Sequence, residues 1–563
     1  MQNAALVCNR SLRIIALACA VGLLSGCSDN KAPAALAITP DSSAVEVAAR
    51  KPNIMLIVAD DLGYSDLGIF GSEIPTPNLD DLARNGMLLD EFYSGLTCSP
   101  TRSMLLSGTD NHLAGVGVMN GPTRPDHMNQ PGYVGYLNFR VASLADLMSD
   151  AGYNTYMAGK WHLGAEVENG PHARGFKRSF VSLDGAAHLG GWDWRGPMPA
   201  DYRDGDELVH VGDDFYTTRD YTKKMLGYIE QDRADNKPFF AYLAYTAPHW
   251  PLQAPDESIA RFKGKYDQGY EALYASRYAR MQELGILPAG AEPIGNARFK
   301  PRWDELAPDD KAIEARRMEV YAAMVSDLDT YVGQVITYLK DIGEFDNTFI
   351  LFMSDNGAES SRRDLAPDIA SHIGKEYDHS VNNLGRANSY VMYGANWASV
   401  SETPFYRHKA TAFEGGIHVP AFVHYKGLVK AGTRATGVST VMDVLPTVLA
   451  IAGTTHPGTQ YRGQEILPVK GKSMLPMLRG ESPAIHDDNE IFGWELYGYR
   501  SVRQGDWKIV WDQAAPEAER RWRLFNVAQD PSEQHDLSMT NVTKLNEMVA
   551  NWDVYATENG VIY

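Results

Sequence analysis

Cysteine is scarce in this sequence, which has 4 cysteines among 563 residues. Cys8, Cys19 and Cys27 lie close to the N-terminus, and Cys98 is the one cysteine that follows them. A single cysteine in the body of a protein has no partner for an intramolecular disulfide, so a disulfide-stabilised scaffold is excluded. Cys98 is therefore either a small core residue or a residue with a chemical role.

Basic residues are fewer than acidic residues. The sequence has 52 Lys and Arg residues against 71 Asp and Glu residues, a formal net charge of −19. Such a surface repels the phosphates of nucleic acids and anionic lipids, so we expect no nucleic acid partner. It also repels small anions, and a site for an anionic substrate would need its own local cluster of basic side chains.

The apolar run near the N-terminus, residues 14–24, is too short to span a membrane comfortably. It follows Arg10 and Arg13 and ends in small residues before Cys27, a pattern typical of an export signal. The sequence Leu-Ser-Gly-Cys at 24–27 resembles the bacterial lipobox, whose cysteine becomes the lipidated first residue of the mature protein. The alternative is a plain secretory signal that happens to contain a cysteine.

These features predict an exported protein that is periplasmic or anchored in the outer membrane. We assign residues 1–26 to a lipoprotein-type signal peptide and residues 27–50, rich in Ala, Ser, Pro and Asp, to a flexible tether. A lipid on Cys27 would be the only membrane contact. Ser28 follows it in place of Asp, and by resemblance this favours outer-membrane sorting.

Short apolar runs that end abruptly in reactive polar residues recur along the chain. The runs are residues 53–59, 154–158, 239–245 and 348–354, and the polar residues that follow them include Asp60, Asp61, Lys160, His162, His249, Asp355 and Asn356. Near-continuous apolar runs indicate strands that are buried on both faces, as in a mostly parallel sheet covered by helices. Ligands of such sheets bind at the carboxyl ends of the strands, so we expect the polar clusters to meet there.

Helical patterns at residues 77–86 and 320–339 alternate with these strands and favour a doubly wound α/β fold. From residue 486 the pattern changes to short alternating strands separated by glycine, which is typical of an antiparallel sheet. We therefore predict a large doubly wound domain at residues 51–485 and a smaller C-terminal α+β domain at residues 486–563.

The acidic strand ends indicate a cation site. Asp60, Asp61, Asp355 and Asn356 supply carboxylate and amide oxygens, which suit Ca²⁺ or Mg²⁺ and not zinc. The alternative is that each pair merely caps a strand end. Clustered carboxylates repel one another without a cation, and this favours the cation site.

Cys98 begins the motif Cys-Ser-Pro-Thr-Arg at residues 98–102, in which Pro100 fits the first turn of a helix and Gly108 its end. Cys98 would then lie at a helix N-terminus, where backbone amides and the helix dipole favour an anion. The alternative is a buried structural cysteine beside a turn.

The Cys-x-Pro-x-Arg spacing resembles the sulfatase signature that formylglycine-generating enzymes recognise, and residues 152–162 resemble the second sulfatase signature. Lys409 and the Glu-Gly-Gly at 414–416 are similar to the family's Lys-x4-Glu-Gly-Gly pattern, although His418 stands where the family often has Arg. The resemblance runs from Lys51 to the C-terminus and is to the large bacterial arylsulfatases. It implies the alkaline phosphatase superfamily fold.

The resemblance implies that the protein hydrolyses small sulfate esters to an alcohol or phenol and inorganic sulfate. The nucleophile would be the hydrate of a formylglycine made from Cys98 by a formylglycine-generating or sulfatase-maturing enzyme. The implied cofactor is Ca²⁺, in preference to Mg²⁺. Its implied ligands are Asp60, Asp61, Asp355, Asn356 and the formylglycine at position 98.

We expect the protein to be a monomer. The resemblance also implies roles for basic side chains of the active site. Arg102 and Lys160 would hold the formylglycine and the sulfate, and His162 would form a hydrogen bond with the formylglycine diol. His249 and Lys409 would contact the substrate sulfate near the leaving oxygen. This local positive charge would offset the repulsion of an anion by the acidic surface.

Two other functions remain open on the sequence alone. One is a phosphodiester or phosphonate monoester hydrolase that uses the same formylglycine, and the other is a lipoprotein that binds sulfated ligands without turnover. The natural ester is equally open, since five aromatic residues before Lys409 could line a pocket for an aryl group or pack the loop. These residues are Tyr390, Tyr393, Trp397, Phe405 and Tyr406.

Overall fold

A computed structural model describes residues 50–563 except 186, 194, 195, 288 and 289. The predicted signal peptide, the tether up to residue 49 and the anchor at Cys27 lie outside the described residues. Lys51–Tyr563 forms one compact unit. None of the helices in the described ranges is long and apolar enough to cross a lipid bilayer.

The strands and α-helices of the described chain follow one another from Asn53 to Asn559. The strands are β1 (Asn53–Ala59), β2 (Met87–Leu89), β3 (Phe92–Tyr93), β4 (Asn154–Lys160), β5 (Arg178–Ser182), β6 (Trp192–Asp193), β7 (Gly196–Pro199), β8 (Tyr202–Asp204), β9 (Glu207–Val209), β10 (Phe239–Ala244), β11 (Thr348–Ser354), β12 (Ala421–His424), β13 (Thr433–Ala435), β14 (Ser439–Thr440), β15 (Gln460–Tyr461), β16 (Gln464–Glu465), β17 (Ile491–Leu496), β18 (Tyr499–Gln504), β19 (Trp507–Trp511) and β20 (Trp522–Asn526). The α-helices are α1 (Pro77–Arg84), α2 (Cys98–Ser107), α3 (Leu144–Asp150), α4 (Thr217–Asp232), α5 (Asp256–Ala260), α6 (Tyr270–Glu283), α7 (Pro308–Asp341), α8 (Pro367–Glu376), α9 (Gly394–Ser401), α10 (Glu414–Ile417), α11 (Val444–Ile451), α12 (Leu475–Leu478) and α13 (Val542–Asn559).

The main sheet of the described chain has ten strands in the order β13-β2-β12-β11-β1-β10-β4-β5-β8-β9. Its centre, from β11 to β5, is parallel. Every residue of β1, β4, β10 and β11 is buried, because helices and loops cover both faces of these apolar strands. The predicted doubly wound, mostly parallel α/β sheet is confirmed. The short edge strands were not predicted from the sequence. Among them, β12, β8 and β9 pair antiparallel to their inner neighbours.

The helix that carries Cys98 has the predicted bounds. α2 begins at Cys98 and ends at Ser107, and Gly108 follows with a left-handed φ of 65°, a conformation that glycine adopts without strain. α7 contains the predicted helix at residues 320–339 but begins earlier, at Pro308. Its first turns are mostly polar, so hydrophobic spacing could not detect them.

β17 to β20 form an antiparallel sheet, as predicted from the C-terminal sequence. One face packs against α13, with Val502 and Ile509 against Trp552. The other face packs against the body of the protein, with Val510 in one apolar cluster with Phe413. The sheet is thus fixed between its own helix and the body, while the exact domain division at residue 485 stays a prediction.

His112 links the body to this sheet through two buried carboxylates. Its Nδ1 lies 2.9 Å from Asp110 Oδ1, and its Nε2 lies 3.0 Å from Glu495 Oε2 on β17. Tyr555 of α13 donates to the other oxygen of Asp110 over 2.8 Å. Burial favours the neutral ring, but the hydrogen bonds to Asp110 and Glu495 outweigh it and raise the pKa of His112 to about 9.

We predict a pH-dependent contribution of His112 to stability. Because its folded pKa lies above the ordinary 6.5, the stabilisation is complete below pH 6.5 and is lost as the pH rises through about 9. Chemical denaturation from about pH 6 to 10 should show the free-energy gap between wild type and His112→Gln shrinking by up to about 3 kcal/mol.

The matched control is His172→Gln, since His172 pairs with Asp206 on the surface and is 61% exposed. Its gap to the wild type should be small at every pH. A gap for His112→Gln that stays constant across the range would contradict a charged His112 in the folded protein.

Candidate active site

Cys98 is buried at the start of α2 and lies against the first acidic strand end. Its Sγ is 3.4 Å from Asp60 Oδ1. Burial raises the pKa of the Cys98 thiol above its ordinary value. The unmodified thiol is therefore protonated at neutral pH and a weak nucleophile, since the thiolate is the reactive form.

The two acidic strand ends meet as predicted. β1 and β11 are parallel neighbours, with Ala59 paired to Ser354, so Asp60-Asp61 and Asp355-Asn356 lie side by side at the carboxyl edge of the sheet. The backbone N–H of Asp61 donates to Asp355 Oδ1 over 3.3 Å. The four side chains are buried.

This group of side chains fits a divalent cation. One ligand atom each from Asp60, Asp61, Cys98 and His249 lies within 4.8 Å of the others. Asp61 Oδ2 and Asn356 Oδ1 are buried and accept no hydrogen bond from the described residues. Buried oxygen acceptors without donors are costly unless a cation or water binds them, and carboxylate and amide oxygens suit Ca²⁺ or Mg²⁺.

Basic side chains surround the carboxylates. Arg102 donates to Asp355 Oδ2 from Nε and Nη2 over 3.0 and 2.7 Å, and to the Lys160 carbonyl oxygen over 2.9 Å. Lys160 Nζ lies 2.8 Å from Asp60 Oδ2, and Lys409 Nζ lies 2.7 Å from Asp61 Oδ1. The structure thus brings together the basic residues that the sequence predicted to bind an anion.

Burial and these cations act in opposite directions on the acids. Burial favours the neutral form of Asp60, but Lys160 is the foremost of several groups that outweigh it and hold the pKa of Asp60 well below its ordinary value. At Asp61 burial prevails over Lys409 and raises the pKa to about 8. Burial and the charge of Asp60 also raise the pKa of Asp355. Carboxylates this close cannot all ionise easily without further positive charge.

His249 approaches the same site from the loop after β10. Its Nε2 lies 3.5 Å from Asp61 Oδ2, and its Nδ1 lies 2.5 Å from the Trp250 carbonyl oxygen. Burial, together with Lys160, lowers the pKa of His249 well below its ordinary value. His188 supports the loop, since its Nε2 lies 2.7 Å from the His249 carbonyl oxygen.

His162 lies at the end of β4, next to the site, and its polar contact is with Asp184. Nε2 of His162 lies 3.1 Å from Asp184 Oδ1, and its backbone is left-handed with a φ of 55°. Burial lowers the pKa of His162, and Lys160 and Arg102 act in the same direction. The expected bond from His162 to a diol at position 98 stays a prediction.

Two residues of the site were missed in the sequence. Glu359 Oε2 lies 3.4 Å from Lys409 Nζ, and although burial opposes it, Lys409 lowers the pKa of Glu359 to about 2. Its position three residues after Asn356 was a usable signal, because it lies close in sequence to the predicted cation site. His188 offered no signal, because its contact with the His249 loop depends on tertiary structure.

Most of the aromatic residues before Lys409 are packing residues. Trp397 is fully buried in the main core, and Phe405 stacks on His418 with ring centroids 4.4 Å apart. Tyr393 stacks on Tyr321, with centroids 4.5 Å apart, and also lines a small cavity beside Asp61. His418, which departs from the family pattern, donates from Nδ1 to Glu414 Oε2 over 3.0 Å.

Known proteins are similar to this chain over most of its length. The sulfatase family model matches residues 52–454. An uncharacterized sulfatase of Schizosaccharomyces pombe is 41% identical over 530 residues, which cover 91% of this chain and 95% of that protein. An arylsulfatase of Klebsiella aerogenes is 39% identical over 430 residues, which cover 75% of this chain and 91% of that protein.

Solved structures agree with the sequence relatives. The crystal structure of Ps i-CgsB in complex with k-i-k-neocarrahexaose has a TM-score of 0.64 and 27% identity, covering 91% of this chain and 94% of that chain. With the family match over most of its length, the chain belongs to the sulfatase family, and the protein is a sulfuric ester hydrolase with the alkaline phosphatase-like fold.

Proposed function

We propose that the protein is an arylsulfatase-type enzyme that uses a formylglycine made from Cys98 and a bound Ca²⁺. Membership of the sulfatase family implies a formylglycine and a divalent cation. The observation that carries the proposal is the position of Cys98, which is buried at the start of α2 with its Sγ 3.4 Å from Asp60 Oδ1. A thiol held neutral by burial is a poor nucleophile, whereas conversion to an aldehyde hydrate would supply a reactive hydroxyl.

The chemistry would be transfer of a sulfuryl group from an ester oxygen. When present, the cation would lower the pKa of a hydroxyl of the formylglycine hydrate and polarise the sulfuryl oxygens, which makes that hydroxyl the nucleophile. Arg102 and Lys160 would hold the group at position 98 and the sulfate. Both pair with the carboxylate of Asp60, which contacts Cys98, so their positive charges lie beside position 98. Fixed cations of this kind stabilise charge that develops in the transition state.

His249 and Lys409 would act at the leaving oxygen. Nδ1 of His249 lies against the Trp250 carbonyl oxygen, so the neutral ring carries its proton on Nδ1. Nε2 would deliver a proton to the leaving oxygen from the doubly protonated ring. Lys409 Nζ, 2.7 Å from Asp61 Oδ1, would neutralise negative charge on the same oxygen. His162, beside Asp184, would orient the hydrated group at position 98.

The formal charges of the site favour a divalent cation together with a monoanionic ester. Four carboxylates, those of Asp60, Asp61, Asp355 and Glu359, face three fixed cations, those of Arg102, Lys160 and Lys409, in the described site. A divalent cation would leave one positive charge in excess, and a sulfate ester would balance it. Ca²⁺ suits this donor set better than Mg²⁺, because it accepts about six to eight ligands in irregular geometry.

The proposed function includes export of the protein, conversion of Cys98 by a maturation enzyme, and a monomeric state. The basic residues, short apolar run and Leu-Ser-Gly-Cys at the N-terminus support a lipid on Cys27 and a periplasmic or outer-membrane location. A formylglycine-generating or sulfatase-maturing enzyme would act on residues 98–102 before folding, since Cys98 is buried in the folded chain. We propose a monomer with a catalytic domain at residues 51–485.

The first prediction from the proposed function concerns substrate class. Purified protein should hydrolyse aryl sulfates with a kcat/KM well above that for matched aryl phosphodiesters, because the chain belongs to the sulfatase family and is 39% identical to an arylsulfatase. Both esters are monoanions, so the charge of the site does not separate them. Aryl esters should exceed alkyl and carbohydrate sulfates, since a relative that is 39% identical to this chain is an arylsulfatase.

The control is Cys98→Ala, which removes the precursor of the nucleophile and should reduce turnover to the background rate. A kcat/KM dominated by the diester would overturn the proposed function. Preference for a carbohydrate sulfate would keep the sulfatase mechanism and overturn the aryl assignment.

The second prediction concerns the cation. Protein stripped with a chelator should gain thermal stability on addition of Ca²⁺, by about 2.7 kcal/mol when Ca²⁺ is present at about 100 times its Kd, and less with the same concentration of Mg²⁺. Asn356→Ala should weaken this Ca²⁺-dependent gain, because Asn356 Oδ1 is one of the buried acceptors without a donor.

Asn154→Ala is the matched control. Asn154 is also a buried asparagine at a strand end, but it donates to Asp235, far from the site. This variant should be less stable at every Ca²⁺ concentration while keeping the full gain. Equal gains with Mg²⁺ and Ca²⁺, or an unchanged gain in Asn356→Ala, would refute the calcium assignment.

A further inference from the structure

Lys409 lies between two ion pairs that lead to the same strand of the C-terminal sheet. On one side Arg407 donates to Asp512 Oδ2 over 3.1 Å. On the other, Lys508 donates to Glu414 Oε1 over 2.7 Å. Lys508 is in β19 and Asp512 directly follows that strand.

The alternation of strand residues explains why one strand can make both contacts. Side chains two apart in a strand point to the same face, so Lys508, Val510 and Asp512 share a face. Val510 belongs to the apolar cluster with Phe413, which fixes that face toward the segment carrying Lys409. Ile509 points the other way, toward α13.

The contact between Lys508 and Glu414 is buried away from solvent. Lys508 is 0% exposed, and its Nζ also lies 3.0 Å from Glu533 Oε1. Glu533 in turn accepts the backbone N–H of Glu414 over 2.6 Å. Tyr93 donates to the second oxygen of Glu414 over 2.7 Å. Removing one charge from such a buried group leaves its partner unpaired, which is strongly unfavourable.

The segment that these pairs hold is not regular secondary structure. Arg407 and Ala410 have left-handed backbones, with φ of 66° and 62°, a conformation that non-glycine residues adopt only when their surroundings impose it. Besides hydrogen bonds within the segment, two bonds to other loops flank Lys409: its N–H donates to the Ala358 carbonyl oxygen, and that of Ala410 to the Leu96 carbonyl oxygen. Contacts outside the segment therefore contribute to its position.

The segment also packs directly on the loop of the cation site. A Cβ on Gly357 would lie 1.9 Å from the Gly415 carbonyl oxygen, so the two backbones are in closest contact there. Gly357 follows Asp355 and Asn356 in sequence. A displacement of Glu414 and Gly415 would therefore move both the segment with Lys409 and the loop with the proposed cation ligands.

We infer that Lys508 and Asp512 are positioning residues, through which the C-terminal sheet sets the place of the Lys409 ammonium in the active site. This inference rests on the proposed action of Lys409 at the leaving oxygen. The C-terminal sheet then contributes to the rate of the chemical step without touching the substrate.

A displaced Lys409 has a kinetic signature that general destabilisation lacks. A poor leaving group needs more charge neutralisation at its oxygen than a good one, so losing Lys409 slows poor leaving groups more. A smaller folded fraction would slow all substrates equally. The ratio of kcat/KM for para-nitrophenyl sulfate to that for phenyl sulfate measures the difference.

The experiment uses the full-length, matured protein with saturating Ca²⁺. Lys508→Met should lower kcat/KM for phenyl sulfate by roughly 10- to 100-fold, since small misplacements of reacting groups have effects of this size, and should raise the substrate ratio about tenfold. Asp512→Asn should raise the ratio in the same direction but less, because its partner Arg407 is 34% exposed. It also provides the readout if Lys508→Met does not fold.

Glu495→Gln is the matched control. Glu495 is likewise a buried carboxylate of the C-terminal sheet paired with the body, but its partner is His112 and not the segment with Lys409. Its substrate ratio should equal that of the wild type. The same rise in Glu495→Gln, or no rise in both Lys508→Met and Asp512→Asn, would overturn the inference.

Lys409→Met separates this inference from the proposed function. It should raise the substrate ratio at least as much as Lys508→Met does. If Lys409→Met leaves the ratio unchanged, the proposed action of Lys409 fails, and the inference fails with it. If Lys409→Met raises the ratio while the β19 variants do not, only the positioning inference is wrong.

Discussion

Buried carboxylates at the carboxyl edge of the main sheet are the feature on which the rest of the site depends. Asp60 and Asp355 are fully buried, and like charges this close are unfavourable in a medium of low dielectric. Lys160 lies 2.8 Å from Asp60, and Arg102 lies 2.7 Å from Asp355. The acids hold the basic groups in place, and those basic groups are the charges that an anionic ester needs on an otherwise acidic protein.

This balance can be built only by a fold that brings distant positions together. The parallel pairing of β1 with β11 juxtaposes the two acidic pairs, and β4 and β10 add Lys160 and the His249 loop from the other side. α2 carries both Cys98 and Arg102, one turn apart, so the group to be modified and the main partner of Asp355 move as one rigid unit. Lys409 comes from an irregular segment, and contacts outside that segment help to hold it.

The sequence was sufficient for elements whose signal is local. β1 and β11 have the bounds that their apolar runs predicted, and α2 begins and ends at Cys98 and Ser107 because Pro100 and Gly108 mark its ends. The short edge strands and the His188 contact could not be predicted from the sequence. Their positions follow from pairing and loop closure, where the partners are far apart in sequence and leave no periodic pattern.

Mass spectrometry of the peptide that contains residue 98 tests the central claim most directly. Protein produced with and without a maturation enzyme is digested, and the converted fraction is compared with aryl sulfatase activity. Conversion of the thiol side chain to an aldehyde removes sulfur and two hydrogens and adds one oxygen, so the peptide becomes lighter. We predict that activity rises in proportion to the converted fraction. Full activity from protein whose Cys98 is entirely unmodified would contradict the account.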